Sequence, residues 1–151
     1  KNKILIMKRF KDKKSFSSSY RMKPSTISLS KKKLIEISMK NKDNLSRICL
    51  NSSSNDKFHQ MIIFQTSKYK TIIKKNLYKD KSFILVSGKQ LIRIYDKNKK
   101  IKKKFYLDKN NFFCWIKKNT FYDNITVGSK SVHIESLAGP FRRKKDRVYL
   151  K

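Results

Sequence analysis

Residues 81–118 decide the fold, and they read KSFILVSGKQLIRIYDKNKKIKKKFYLDKNNFFCWIKK. The segment contains four short apolar runs, each about as long as one strand. Within residues 89–96, Leu91, Arg93 and Tyr95 face one side and the intervening isoleucines face the other, as in a half-buried strand. Turn residues separate the runs at Ser87-Gly88, Asp96-Lys97-Asn98 and Asp108-Lys109-Asn110-Asn111. This pattern predicts consecutive antiparallel strands.

The same spacing continues on both sides of this segment. Five further strands are predicted at residues 46–50, 57–66, 70–75, 121–127 and 131–136, with turns at 51–56 and at Gly128-Ser129. A single helix is predicted from Ser30, a suitable N-cap, to about Lys42. Many short strands without intervening helices predict a mostly β fold, an antiparallel sandwich or barrel. We expect one domain over residues 28–151 and a basic, Ser-rich extension over residues 1–27.

The chain is strongly basic, with a formal net charge of +30 from 40 Lys and Arg against 10 Asp and Glu. Clustered positive charge is the usual source of affinity for nucleic acid. However, only seven of the basic residues are Arg and Ala occurs once, a composition typical of a gene rich in A and T. Phosphate and base recognition favours the Arg fork over the Lys point charge, so a Lys surplus is a weak indicator of function. Solvated surface lysine is the favoured interpretation, and nucleic acid or an anionic membrane surface are the alternatives.

Two further observations concern the compartment of the protein. Cys49 and Cys114 each stand alone inside an apolar run, which favours buried free thiols over metal ligands or a disulfide. No apolar run approaches the roughly 20 residues of a membrane-spanning helix. The run from Ile4 to Met7 is too short for the core of a signal peptide. We therefore expect a cytoplasmic protein without a membrane span.

Few residues are suited to catalysis. His133 and Glu135 lie two residues apart, hence on one face of a strand, and could act as two metal ligands or as an acid/base pair. His59 is the other histidine, and a lone strand histidine is more often a packed residue. Three dispersed glycines exclude a Gly-rich phosphate loop, and no Ser stands in a nucleophile-elbow pattern. A non-catalytic protein is therefore favoured over an enzyme.

Four segments occur in a characteristic order. They are SRICLNSSSNDKFHQMIIF (46–64), KSFILVSGKQLIRIYDKNKKI (81–101), NFFCWIKKNTFYDNI (111–125) and VHIESLAGPF (132–141). Together they resemble the WbuC family of small cupin-fold proteins, found in bacterial polysaccharide and O-antigen gene clusters. The resemblance is most specific in the HQMII strand and in Glu135 standing four residues before Gly139. It implies a cupin-type double-stranded β-helix with one N-terminal helix and a site inside the barrel mouth.

The resemblance also locates the positions that hold a divalent metal in metal-binding cupins. Counting back from Gly88 and Gly139, these positions carry Lys74, Asn76, Lys81 and Tyr122. Two ammonium groups in the first shell would repel a divalent cation, which prefers neutral imidazoles and a carboxylate. We therefore expect no metal cofactor and no catalytic residue.

Two interpretations of the altered site stay open. One is a cationic pocket of Lys74, Asn76, Lys81 and Tyr122, with His59, His133 and Glu135 as secondary candidates, for a small anionic or sugar ligand. The other is a decayed relative that keeps only the fold. A different class, a small basic RNA-binding or ribosome-associated protein, predicts aromatic rings exposed among lysines. Surface drift instead predicts that Phe112, Phe113 and Trp115 are largely buried. A homodimer is compatible with the sequence, which identifies no interface for it.

Overall fold

The computed structural model describes residues 7–11, 18–22, 28–39 and 43–150. This part of the chain forms ten strands and two short helices. In chain order they are β1 (Met7–Lys11), β2 (Ser18–Met22), α1 (Lys31–Ser38), β3 (Leu45–Cys49), β4 (Phe58–Thr66), β5 (Lys74–Asn76), β6 (Lys81–Tyr95), β7 (Ile101–Leu107), β8 (Phe113–Ile116), β9 (Phe121–Ala138), α2 (Arg143–Asp146) and β10 (Arg147–Tyr149).

The strands form one continuous hydrogen-bonded network in which β9 is central. One path runs in the order β1-β2-β3-β4-β9-β5-β10, and β6 joins it by pairing with β9 while also pairing with β7 and β8. The β2–β3 pair is parallel and the other described pairs are antiparallel. The predicted mostly β fold with few helices is confirmed.

The two longest strands correct the prediction of turns at Ser87-Gly88 and Gly128-Ser129. Instead of ending there, β6 and β9 continue through both glycines, and their pairing shifts register around Gly88. Gly88 and Gly128 both have φ of +84°, a conformation that only glycine adopts without strain. A glycine of this kind bends a strand from one layer of the fold into the other without ending it. The predicted strand at 70–75 is also displaced, since β5 covers only Lys74–Asn76.

The apolar side chains form two clusters on opposite faces of this sheet. The inner cluster comprises Phe83, Leu85, Ile92, Leu107, Cys114, Ile116 and Tyr122. The outer cluster comprises Ile37, Ile48, Ile62, Phe64 and Val132, and it lies under α1. Ser30 caps α1 as predicted, accepting a hydrogen bond from the backbone N–H of Lys33 at 3.1 Å, but the helix ends at Ser38, short of the predicted Lys42. The helix therefore covers one part of the outer face.

Two described segments lie within the predicted extension, residues 1–27. They are β1 and β2, and β2 adds to the sheet beside β3. Part of that segment is therefore strand, while the domain boundary near residue 27 stays a prediction, because residues 1–6, 12–17 and 23–27 lie outside the described residues. Neither described helix has the length and apolar character needed to cross a membrane.

Candidate functional site

A cavity of about 300 Å³ opens inside the fold, between β3, β4, β9 and the C-terminal segment. Its described wall is strongly cationic. Five basic side chains line it, namely Arg21, Arg47, Lys74, Arg143 and Arg147, and Glu135 is its one carboxylate. The imidazoles of His59 and His133 also line it, together with the uncharged polar side chains of Asn51, Ser54, Gln65, Tyr69 and Asn124. A cavity of this size and charge suits a small anionic molecule.

The single carboxylate is already neutralised from behind the cavity wall. Lys81 at the start of β6 places its Nζ 2.6 Å from Oε1 of Glu135 on β9, and the Lys81 side chain is only 1% exposed. Burial lowers the pKa of Lys81 to about 8, although Glu135 opposes that shift. Burial alone would raise the pKa of Glu135, but the positive charges of Lys81 and Arg147 outweigh it and lower that pKa. Both groups are therefore ionised at neutral pH, and the pair leaves the cavity with a net positive charge.

Lys74 is a cavity residue whose charge is poorly compensated. It lies on β5 directly opposite Tyr122 on β9, with its Nζ 5.4 Å from the centre of the Tyr122 ring. Burial, together with the charges of Arg147 and Lys81, lowers the pKa of Lys74 to about 7. An anion bound in the cavity would supply the missing negative charge and raise this pKa again.

Two other predicted positions lie in the wall behind the cavity. Asn76 is buried and its Oδ1 accepts a hydrogen bond from Nε of Arg147 at 3.3 Å. Tyr122 is fully buried, and its ring meets Phe83 edge-on at 5.9 Å between centroids. Burial raises the pKa of Tyr122, so its hydroxyl stays protonated. This hydroxyl has no hydrogen-bond partner within the described part of the chain.

The two histidines present polar atoms without a partner. His59 and His133 are 6% and 1% exposed, and the Nε2 of each has no hydrogen-bond partner among the described residues. On the other edge of its ring, Nδ1 of His133 lies 2.8 Å from Nε2 of Gln90. Burial lowers the pKa of His133 to about 4, so this imidazole is neutral at physiological pH. A buried polar atom in a cavity wall that lacks a partner is a group that a ligand can satisfy.

The structure therefore divides the predicted site residues into two groups. Lys74, His59, His133 and Glu135 line the cavity, whereas Asn76, Lys81 and Tyr122 support it from behind. Sequence reasoning missed the arginines of the wall. Arg47 and Arg147 are 100 positions apart, on β3 and β10, and no local pattern connects them. The local sequence signal for Arg47 is that it is the one charged residue within the strand Leu45–Cys49.

The residues that the sequence resemblance assigns to the four metal-ligand positions of metal-binding cupins offer donors that a divalent cation does not favour. The ammonium group of Lys81 forms an ion pair with the carboxylate of Glu135, and the amide oxygen of Asn76 accepts a hydrogen bond from Arg147. Lys74 offers a nitrogen that is half protonated near neutral pH, and Tyr122 a protonated phenol. In the described ranges, no three His, Cys, Asp or Glu side chains converge as a metal site requires.

Solved structures similar to this one share its architecture. The capsular polysaccharide assembling protein CapF of Staphylococcus aureus superposes with a TM-score of 0.57 at 18% identity, over 71% of this chain and 31% of CapF. KdgF from Halomonas sp. superposes with a TM-score of 0.52 at 11% identity, over 67% of this chain and 83% of KdgF. An oxalate decarboxylase from Lactobacillus farciminis, in complex with formate, gives a TM-score of 0.50 at 9% identity, over 63% of this chain and 27% of that protein.

These similarities define the class of fold. The neighbours are cupin-fold proteins, and this chain has the cupin fold, a β-sandwich with few helices. The chain spans about a third of the length of CapF. No protein-family model matches the sequence, and no curated protein matches it.

Proposed function

We propose that this protein is a metal-free, WbuC-like cupin that binds an anionic sugar, such as a sugar acid or a sugar phosphate, in its cationic cavity. It acts as a binding protein of polysaccharide or sugar metabolism in the cytoplasm and not as an enzyme. The observation that carries the proposal is the cavity wall itself, in which five basic side chains surround one carboxylate that Lys81 has already neutralised.

The charge of the wall selects for an anion. Arg47, Lys74 and Arg147 come from three different strands and converge on the same space. Because the sheet fixes these strands, the site is largely preorganised before the ligand arrives, which reduces the entropy lost on binding. Arginine and lysine in a partly enclosed site recognise carboxylate and phosphate groups.

The neutral part of the wall suits hydroxyl groups. Nε2 of His59 and Nε2 of His133 lack partners among the described residues. Because Nδ1 of the neutral His133 accepts from the amide nitrogen of Gln90, its Nε2 carries the proton and can donate one hydrogen bond, whereas Nε2 of His59 can donate or accept one. Met61, Ile63 and Leu137 add apolar surface beside them. A ring that carries several hydroxyls and one charged group would satisfy this combination, whereas a purely inorganic anion would leave the imidazoles without partners. The similarity in fold to a capsular polysaccharide assembling protein supports the link to polysaccharide metabolism.

Calorimetric titration tests the proposal with three ligands at pH 6.5: galacturonate, glucose 1-phosphate and uncharged glucose. We expect binding of one or both anionic sugars and none of glucose. In Lys74→Met the anionic sugar should bind roughly tenfold to a hundredfold more weakly, as expected for the loss of one charged hydrogen bond.

Lys75→Met is the matched control. It removes the same charge from the neighbouring residue of β5, whose Nζ lies over the ring of Phe121 at 4.7 Å and which does not line the cavity. Affinity in this variant should equal that of the wild type. Equal losses in both variants would show that net charge alone attracts the ligand, and absence of binding by every anionic sugar would refute the proposal.

The metal-free state has its own measurement. Elemental analysis of protein purified without chelator should find no stoichiometric iron, manganese, nickel or zinc. One equivalent of any of these metals, retained through gel filtration, would overturn this part of the proposal.

A further inference from the structure

The aromatic rings around β8 are exposed, contrary to the prediction that follows from surface drift. Phe112, Phe113 and Trp115 are 53%, 51% and 55% exposed. Within β8, exposed Phe113 and Trp115 alternate with buried Cys114 and Ile116, so the two exposed rings share the outer face of the sheet. We call Phe112, Phe113 and Trp115 the aromatic strip. A monomeric protein rarely leaves three large neighbouring rings open to water without a function for them.

The strip lies on a part of the outer face that the rest of the fold leaves uncovered. α1 packs over Ile48, Ile62, Phe64 and Val132 and reaches Val86 on β6, so its N-terminal end lies beside Phe112, while Phe113 and Trp115 stay exposed. In the described part of the chain β8 pairs only with β6, so its other edge carries no strand. The rings are therefore accessible both from the face and from the edge of the sheet.

The ring of Trp115 is held in a fixed orientation. Its Nε1–H donates to Oδ2 of Asp80 at 3.0 Å, and Oδ1 of the same carboxylate accepts from the backbone N–H of Lys118 at 2.8 Å. Asp80 thereby anchors the polar edge of the indole, which stays half exposed. A preorganised flat ring loses little entropy when another flat ring stacks on it.

Exposed lysines flank the strip along the chain. Lys109 precedes it in the β7–β8 loop, and Lys117 and Lys118 follow it directly. The side chain of Lys117 is 77% exposed, and its Nζ lies 3.6 Å from Asp80. The strip thus combines flat apolar surfaces with ammonium groups within a few residues, inside a chain whose net charge is +30.

We propose that the aromatic strip is a binding surface for single-stranded nucleic acid, separate from the cavity. Bases stack on the exposed rings, and the lysines neutralise the phosphates between them. Phe113 and Trp115 are two residues apart on one strand, a separation of about 6.6 Å, so successive bases of an extended strand can reach successive rings.

The net positive charge of the chain favours nucleic acid over the other partners that an exposed apolar edge could bind. A second copy of the chain would bring another net charge of +30 to the same surface, and repulsion between the two copies would oppose pairing through β8. An acidic peptide would match the charge but offers no regular series of flat rings. A single nucleic-acid strand supplies one negative charge and one flat ring per residue, which matches both features of the strip.

The chain contains a single tryptophan, so the fluorescence of Trp115 reports on this surface alone. Titration of the full chain with oligouridylate and oligoadenylate 12-mers should quench this fluorescence with saturation. Quenching should weaken steeply between 50 and 200 mM salt. Lys74→Met should bind the oligonucleotides as the wild type does, so the outcome is independent of the sugar-binding proposal.

Substitutions test whether the rings of the aromatic strip bind the oligonucleotide. Measured by anisotropy of a labelled oligonucleotide, Phe113→Ala and Trp115→Ala should each reduce affinity roughly five- to a hundredfold. Tyr106→Ala is the control, since this ring on β7 is 46% exposed but lies outside the strip, with Nζ of Lys89 over it at 4.3 Å. Lys117→Gln should lower the slope of log affinity against log salt by about one.

Four results would overturn the proposal. The first is equal affinity in Trp115→Ala, Tyr106→Ala and the wild type, which would mean that charge alone holds the nucleic acid. The second is concentration-dependent dimerisation in sedimentation equilibrium that Trp115→Ala abolishes. The third is a blue shift of Trp115 fluorescence with anionic phosphatidylserine vesicles but not with oligonucleotides. The fourth is quenching by an acidic peptide but not by oligonucleotides.

Discussion

The buried pair of Lys81 and Glu135 provides the sharpest test of how the interior is held together. Their charged atoms are 2.6 Å apart, and the side chains are 1% and 10% exposed. At that distance the attraction is about 6 kcal/mol for an effective dielectric constant of 20. Each ion, however, loses several kcal/mol of hydration on burial, so the pair as a whole contributes little net stability. Removing one partner is different, because the other then remains buried without compensation.

We therefore predict a strongly non-additive double-mutant cycle. Lys81→Met and Glu135→Gln should each lower the free energy of unfolding by about 3–5 kcal/mol at pH 7. The double variant should be far more stable than the sum of the two losses implies, with a coupling energy of several kcal/mol. Urea unfolding followed by far-UV circular dichroism measures all four proteins.

The pH dependence of the single variants should differ in sign. In Lys81→Met the unpaired Glu135 can become neutral by protonation, so the loss of stability should shrink as pH falls. In Glu135→Gln the unpaired Lys81, whose pKa burial already lowers to about 8, can become neutral by deprotonation, so the loss should shrink as pH rises.

The exposed pair of Lys33 and Glu36 on α1 is the matched control. Its atoms are 3.1 Å apart, but the side chains are 49% and 54% exposed, so water screens the attraction. The same cycle there should give a coupling energy below about 0.5 kcal/mol. Additive losses at Lys81 and Glu135, or equal coupling at the two pairs, would refute the reasoning.

Three further predictions concern the bends and the titrating groups. Gly88→Ala should lower the free energy of unfolding more than Gly128→Ala. Both glycines have φ of +84°, so either replacement costs about 1–2 kcal/mol, but only at Gly88 would the added Cβ collide with the carbonyl of Lys130. Equal losses in urea unfolding would contradict this. His133 has its pKa lowered to about 4 against 6.5 in the unfolded chain, so its contribution to the free energy of unfolding should be constant above pH 6.5 and should decrease from pH 6.5 to 4 by up to roughly 3 kcal/mol. His133→Gln should flatten that decrease in melting curves. Affinity for an anionic sugar should be constant well below pH 7 and fall by up to tenfold per pH unit above it, because Lys74, with a pKa of about 7, loses its charge there. Calorimetry that finds equal affinity at pH 6 and pH 8.5 would exclude Lys74 as the anion-binding group.

Much of the fold could be predicted because its signals are local. The two-residue alternation of β6 and the spacing of the turn residues are visible in a single sequence, and they indicate many antiparallel strands. Ser30 could be recognised as a helix cap for the same reason, since the bond it makes spans only three residues. The sequence predicts turns where the structure has bends at Gly88 and Gly128, because a glycine with positive φ gives the same sequence signal in both settings.

The sequence by itself determined the approximate positions of most strands, the alternation of faces within them and the basic composition of this protein. It also indicated Lys74, Lys81 and Glu135 as candidate pocket residues. Only the tertiary structure decided that Lys81 pairs with Glu135 and that the arginines of β3 and β10 meet around one cavity. It also decided that α1 covers Ile48 and Ile62 and leaves Trp115 in water. The reason is physical: alternation tells which side chains share a face, but the partner of a buried charge and the cover of an apolar face are set by contacts between segments far apart in the chain.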